Sequence, residues 1–510
     1  MTADLRIFHD TYVDSVVQLS ASRAMNEFAG VEWAAAAMAT PANLQTLRSE
    51  GFAVTGLGAA NDLFLAVRGA NDDSVQGALA AGADAMFASR ASGSGGPASP
   101  RAHRTIERAV RDLPDTNVAI ISVPGEYAAL EAHEALTAGL DVLLFSDNVP
   151  VSDEVALKDR AVRLGHLLMG PGAGTAMLGG TGLGFANVVG SGPVGIVAAA
   201  GTGAQEAMSL LDRWGVGISC VIGLGGRDLS DAVDGRMAKA AIASLRADPG
   251  TEMIFLVSKP PAERVAQAVL AVADDFPLVA ALVGRAADAD AVTGRRPART
   301  LEAGALDVLD RLGVKRPDVI GNLPQQVAQV CERLAPRRTL VRGLYSGGTL
   351  CYESLVILSD MLGPVYSNVP LSAALRVPAP ADSHVCLDLG EEEYTVGRPH
   401  PMIDPQARVE MLDEQGQDPA VAVILLDVVL GLGAHEDPAG QLAPACARAV
   451  QHGAAVVAYV LGTDRDPQGY ARQREILRDA GCVVTETAAR AAFAAAAIAL
   501  RDPALVRRMS

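Results

Sequence analysis

The sequence predicts an α/β protein with two successive, mainly parallel sheets behind a small N-terminal α/β unit. Three observations predict it. From Thr105 onward short apolar strands alternate with helix-length runs, which implies right-handed parallel crossovers. Two strands run into glycine turns that open helices, at Gly201-Thr202-Gly203 and at Ser346-Gly347-Gly348-Thr349. Ala, Val, Leu and Gly dominate a chain that is 50% hydrophobic and only 4% aromatic, as buried parallel strands under Ala-rich helices require. Its 510 residues suffice for about three domains.

In chain order, residues 1–88 read as a small α+β unit, ferredoxin-like or a related sandwich. Its strands are expected at Arg6–Val13, Val31–Ala37 and Leu63–Arg68, its helices at Ser15–Phe28, Thr40–Glu50 and Asp72–Ala85. Asp72 or Asp73 can cap the last helix. The Gly-, Ser- and Pro-rich run Ser89–Arg104 reads as a linker. Strands at Val118–Val123, Val142–Phe145 and His166–Met169 then alternate with helices at Glu126–Thr137 and Asp153–Leu164, while Ala173–Ser191 reads as a loop.

A second sheet is expected from Gly192, with strands at Val194–Ala199, Ile218–Ile222, Met253–Val257 and Leu278–Val283. Helices fit Ala204–Trp214, Asp234–Leu245, Pro261–Val272, Glu302–Val319 and Gln325–Leu334. A joint near Pro336 leads to a last unit that echoes the opening element: Leu340–Leu350 is again an apolar run into a glycine turn and a helix. The domains are therefore expected at 105–191, 192–335 and 336–510.

A formal charge of −17 and no Lys/Arg block argue against nucleic acid. No apolar run reaches the roughly 18 residues of a membrane span, and Ala488–Leu500 reads as a core helix. MTADLRIFHD lacks a signal-peptide layout, so a cytoplasmic protein is expected. The six cysteines are dispersed without CxxC, so no metal site is expected.

Each glycine turn leaves backbone N–H groups bare at a helix start, where the macrodipole favours an anion. An ordinary tight βα turn fits the same residues. Two such turns in different domains suggest one phosphate-like ligand shared between Gly201, Thr202, Gly203 and Ser346, Gly347, Gly348, Thr349. Gly225, Gly226, Arg227 and Asp228 follow a strand end, where open α/β sheets bind ligands; a surface ion pair is the alternative for the last two. His400, flanked by Arg398 and Asp404, is the acid/base candidate, with a loop-fixing role nearly as plausible. Lys259 can be a ligand cation or a solvated side chain, Cys351 a nucleophile or a buried bystander. Asp427 and His435-Glu436-Asp437 weakly suggest a magnesium loop, and a satisfied turn fits them better.

The order of SVPGEYAALEA, FSDNVP, LMGPGAG, VGIVAAAGTGAQEA, CVIGLGGRD and VSKPP resembles the alpha subunit of succinyl-CoA synthetase. The stretch from LVRGLYSGGTLCYES to AYVLGTDRDPQ resembles the CoA-ligase domain of that superfamily. The FdrA branch is the best match, through GLGGRDLSD, RGLYSGGTLCYE, YTVGRPHPMID, LLDVVLGLGAHEDP and GTDRDPQ, over roughly residues 105–500. The resemblance implies a Rossmann-like CoA-binding-type domain at 105–191, a flavodoxin-like succinyl-CoA synthetase domain at 192–335 and a CoA-ligase-type domain at 336–510. The phosphorylated histidine of those enzymes has no counterpart in Ser346–Thr349, where the comparison places it, and Ser258-Lys259 replaces its supporting glutamate. The FdrA resemblance implies a subunit of an oxamate carbamoyltransferase-like enzyme of allantoin breakdown, which is therefore the expectation. It would hold phosphate or carbamoyl phosphate directly, work in an oligomer with companion subunits, and use Arg227, Arg398 and His400. The alternatives are an acid–CoA ligase that binds CoA and a non-catalytic scaffold subunit.

Overall fold

The computed structural model describes residues 2–9, 11, 13, 15–54, 62–91, 103, 105–285, 296–395 and 399–508. The chain divides into one unit of Met1–His103 with Glu392–Pro399 and a second of Arg104–Glu391 with His400–Ser510.

The first unit runs β1 (Thr2–Phe8), α1 (Ser15–Asn26), β2 (Val31–Met38), α2 (Pro41–Ser49), β3 (Leu63–Gly69) and α3 (Asp72–Ala91). Its antiparallel sheet has the order β1-β3-β2. Central β3 is buried on both faces: Leu63, Leu65 and Val67 pack with Met25 and Leu79, while Phe64 and Ala66 pack with Leu47 and Phe52. The described elements therefore alternate strand and helix, unlike the paired central strands of a ferredoxin-like order. Asn71 Oδ1, not Asp72 or Asp73, accepts the Ser74 N–H at the start of α3 (2.9 Å). That helix runs on to Ala91, into the expected linker.

The second unit begins with α4 (Ile106–Asp112), β4 (Val118–Ile121), α5 (Gly125–Thr137), β5 (Asp141–Leu144), α6 (Val151–Leu164) and β6 (Leu168–Met169), whose strands form a parallel sheet. The expected loop at Ala173–Ser191 is instead largely a hairpin, β7 (Thr175–Leu178) and β8 (Thr181–Gly184). Gly179 and Gly180 (φ +55° and +77°) supply the two left-handed residues of its tight turn.

The next sheet contains β9 (Ser191–Ala198), α7 (Gly201–Arg213), β10 (Ile218–Gly223), α8 (Arg236–Ala247), β11 (Met253–Ser258), α9 (Glu263–Val272) and β12 (Leu278–Leu282). Its order is β12-β11-β9-β10-β7-β8, with the hairpin antiparallel at one edge. Helices α10 (Leu301–Arg311) and α11 (Leu323–Arg333) lead to the last sheet. There follow β13 (Leu340–Tyr345), α12 (Gly348–Leu362), β14 (Val365–Tyr366), β15 (His384–Asp388), α13 (Glu392–Thr395, which belongs to the first unit), α14 (Gln406–Gln417), β16 (Val421–Val429), α15 (Pro438–Gln451), β17 (Ala455–Leu461), α16 (Tyr470–Asp479), β18 (Val483–Thr485) and α17 (Ala488–Leu500). The order is β14-β15-β13-β16-β17-β18.

Both parallel cores thus wind outward in two directions from a first strand, β9 or β13. That is the doubly wound arrangement whose ligand crevice lies at the strand carboxyl ends. Their facing helices share one apolar core, which joins Val194 and Ile196 to Val341 and Val423 through α7, α12 and the Ala-rich α17. Small side chains let α17 lie buried from Ala488 to Ala499. Its Arg490 pairs with buried Glu302 of α10.

That shared core also buries two carboxyls, one from each glycine-turn helix. Glu206 of α7 accepts from Tyr459 Oη (2.6 Å), and burial pushes its pKa up to about 7. Glu353 of α12 accepts from the Leu301 N–H (2.6 Å), and burial pushes its pKa up to about 8. Both pKa values are raised in the fold, so folding holds two protons that the unfolded chain releases above its carboxyl pKa of 4.5. The stabilisation is full below that pKa and lost as pH rises through about 7 and 8, at roughly 1.4 kcal/mol per unit per group. Thermal melts should fall from about pH 4.5 upward and level off above about pH 8, and Glu353→Gln should flatten part of that fall.

Candidate functional site

The carboxyl edges of three sheets open on one cavity of about 410 Å³. Phe145 and Asp147 follow β5, Gly172 to Gly174 follow β6, and Ala198 to Thr202 carry β9 into α7. Gly223 ends β10, Lys259 follows β11, Ser346 follows β13 and Asp388 ends β15.

The two glycine turns meet at this cavity. Thr349 N–H donates to Thr202 Oγ1 across the lobes (3.1 Å). A methyl on Gly203 would lie 3.0 Å from Thr349 Cγ2, and one on Gly347 would lie 2.9 Å from Thr202 Cγ2. The glycines are therefore what lets the two tips touch. Neither helix has a capping side chain, since the N-cap residues are Ala200 and Gly347. Two partial positive charges converge as a result.

The tips are not equivalent. Asp427, inside β16 two residues before its end, accepts from Ser346 N–H (2.8 Å), Ser346 Oγ (3.1 Å) and Gly347 N–H (2.7 Å), and pairs with buried Arg408 (3.0 Å). With Thr349 N–H given to Thr202, an oxyanion is left with Gly348 on the α12 side and the first turn of α7 on the other. The expectation that Gly347 and Thr349 lend their N–H groups to a ligand is corrected on this point. Those groups build the turn.

Lys259 lies over the Tyr352 ring (5.8 Å) and lines the cavity. Asp388 is 3% exposed, and its Oδ1 accepts from Gly390 N–H (3.0 Å). Burial raises its pKa to about 7, with Lys259 opposing and Glu391 and Asp427 adding to the rise. His400 packs near Phe185, and its Nδ1 accepts from Met402 N–H (3.2 Å). Burial lowers its pKa to about 4, so the ring is neutral near pH 7 and carries its proton on Nε2. The expected near-neutral titration of His400 is thereby corrected. This imidazole is a hydrogen-bond donor.

Of the expected site residues, Gly201, Thr202, Gly225, Gly226, Lys259, Ser346, Gly348, Thr349 and His400 line the one cavity. Arg398 lies outside the described residues. Arg227 and Asp228 face away from the cavity, which corrects their expected roles. Arg227 donates to Glu154 (2.9 Å) and to Val149 O (2.8 Å). Asp228 accepts from buried Lys158 (2.8 Å) and from Met237 and Ala238 N–H at the start of α8 (3.2 and 2.9 Å). Cys351 is buried, and burial pushes its thiol well up, so it is the inert alternative. Sequence reasoning missed Asp388; its signal was an apolar run that ends in Asp and then Gly, CLDLG.

Residues 344–498 match the CoA-ligase family, and residues 1–102 match a family described as AllF, heavy metal-associated domain. The second name implies a metal, yet residues 1–102 contain no cysteine. Among the described residues no cluster of three or more His, Cys, Asp or Glu could hold an ion. That donor set does not fit a soft metal. The chain is 40% identical over 502 residues to the uncharacterized protein YahF of Escherichia coli K12, covering 96% of each. It is 27% identical to the ADP-forming sulfoacetate-CoA ligase subunit SauD of Bilophila wadsworthia, over 43% of this chain and 80% of that one. It is 30% identical to the ADP-forming succinate–CoA ligase subunit alpha of Aquifex aeolicus, over 30% of this chain and 51% of that one. A solved acetyl-coenzyme A synthetase of Ca. Korarchaeum cryptofilum, in complex with phosphate and ADP, aligns at 16% identity and TM-score 0.30, covering 81% and 87% of the two chains.

These relatives overturn the expected carbamoyl transfer and allantoin role. Those with a stated activity are acid–CoA ligases, and the C-terminal lobe matches the CoA-ligase family. Among the described residues no helix is long and apolar enough to cross a membrane.

Proposed function

We propose, for a chain that belongs to the family of Escherichia coli YahF and to the succinyl-CoA synthetase/FdrA-like superfamily of acyl-CoA ligases, that it is the acyl-transfer subunit of an ADP- or GDP-forming acid–CoA ligase. The observation that carries this reading is the contact of Thr349 N–H with Thr202 Oγ1, which brings two uncapped helix starts to one cavity. Such a cradle suits the phosphoryl group of an acyl phosphate. Lys259 would neutralise its oxygens, and the Nε2–H of His400 would hold the acyl carbonyl or its leaving oxygen.

The lobe of β4, β5 and β6 would seat CoA. Its strand ends, at Phe145, Asp147 and Gly172, open on the same cavity, so a thiol held there would reach the acyl carbon. Thiol attack forms the thioester and expels phosphate, which the two tips retain. SauD and the Aquifex chain are subunits by name, and a companion chain would bring the nucleotide here too.

The test is thioester formation from acetyl phosphate and CoA by the purified chain, with nucleotide and companion absent. Turnover is expected. Inertness toward acyl phosphates of short mono- and dicarboxylic acids would remove the ligase reading.

A further inference from the structure

The proposed ligase must pass its phosphoryl group onward, and the chain has no histidine placed to carry it. The one histidine lining the cavity, His400, is bonded so that its cavity-side Nε2 bears the proton, and a protonated nitrogen has no lone pair for phosphorus. Asp427 is fully engaged by the Ser346–Gly347 turn and Arg408. Asp388 differs from both. Its main chain is pinned by Asn368, whose amide donates to Asp388 O (2.8 Å) and accepts from Asp388 N–H (2.9 Å). Its Oδ1 is held by Gly390, whereas Oδ2 has no hydrogen-bond partner among the described residues. That free oxygen stands directly over Gly348, the first residue of α12. Lys259 Nζ reaches within 3.7 Å of the space above Gly348.

We infer that Asp388 is the covalent phosphoryl carrier of this protein, taking the group from a bound acyl phosphate onto Oδ2. The assignment rests on the acid–CoA ligase reading and deepens it. In the step, a lone pair of Oδ2 forms the new O–P bond. The bond from phosphorus to the acyl oxygen breaks, and its electron pair leaves on the free carboxylate. No proton is gained or lost, and no oxidant or reductant takes part. Reactant and product are both mixed anhydrides of a carboxylic and a phosphoric acid, so the exchange conserves the transfer potential a nucleotide-forming partner needs. The attacking species is the carboxylate. With a pKa near 7, its fraction grows through neutral pH, and labelling should speed up accordingly.

The full-length chain is incubated with radiolabelled acetyl phosphate, quenched in acid and freed of small molecules. Label that survives acid, is released by neutral hydroxylamine and is absent from Asp388→Asn is the expected result. Borohydride reduction of the labelled wild-type protein should convert residue 388 to homoserine by peptide mass spectrometry, a readout that needs no variant to fold. Thioester formation is followed in parallel. Turnover with no bound label, or label that is acid-labile or maps to another residue, overturns Asp388 alone. Absence of both label and thioester overturns the ligase reading, and this assignment with it.

Discussion

Gly348→Ala is expected to lower thioester formation from acetyl phosphate by about 10²-fold or more while the protein stays folded. A methyl group there would overlap Asp388 Oδ2, which faces the helix tip. It would also stand in front of the Gly348 N–H, which neither Asp427 nor Thr202 engages. Nothing in the backbone resists the change. Gly348 has no left-handed φ, and alanine is the better helix former by about 1 kcal/mol. The same substitution at Gly201 should cost much less, because its methyl would meet only Thr175 Oγ1, at 3.8 Å. Steady-state rates of the two variants, beside their thermal melts, check the claim. Equal losses, or a loss that follows unfolding, would contradict it.

Lys158→Ala should be the most destabilising of the changes considered, by about 3–5 kcal/mol. Lys158 is fully buried and donates to Glu154 (2.8 Å), Asp228 (2.8 Å) and Leu224 O (2.9 Å). Its removal leaves buried Asp228 without a cation and Glu154 with Arg227 alone, and frees the loop that carries Gly225 and Gly226 to the cavity. Arg227→Ala is a fair contrast. Its side chain is 42% exposed and shares Glu154 with Lys158, so solvent screens the loss and the effect should stay within about 1 kcal/mol. Thermal unfolding and protease resistance of both variants give the comparison.

The succession of strands and helices after Thr105 is legible because buried parallel strands are short uninterrupted apolar runs and the helices between them carry a 3.6-residue period. The hairpin at Thr175–Gly184 was not, since its strands are four residues each and exposed along one of them. Strand β15 was missed for a similar reason: only Cys386 and Asp388 of its five residues are buried. At the site, the paired glycine turns announce themselves in sequence, because a close approach of backbones demands glycine whatever the neighbours are. Arg227-Asp228 misled for the opposite reason. A charged pair after a strand end has the same spelling whether it faces a ligand or, as here, partners on α6 some 70 residues earlier. Asp388 takes its character from Lys259 and Gly348, both distant in the chain, so its local CLDLG pattern marks a strand end and not its chemistry.

The two lobes repeat one another down to single side chains: Gly201-Thr202 with Glu206 four residues on, and Gly348-Thr349 with Glu353. Each lobe brings one such uncapped helix start to the cavity. Because one chain carries both tips, their encounter is independent of concentration, and the lobes differ in what surrounds them: one keeps Asp427 for its own turn while the other faces the cavity with Lys259.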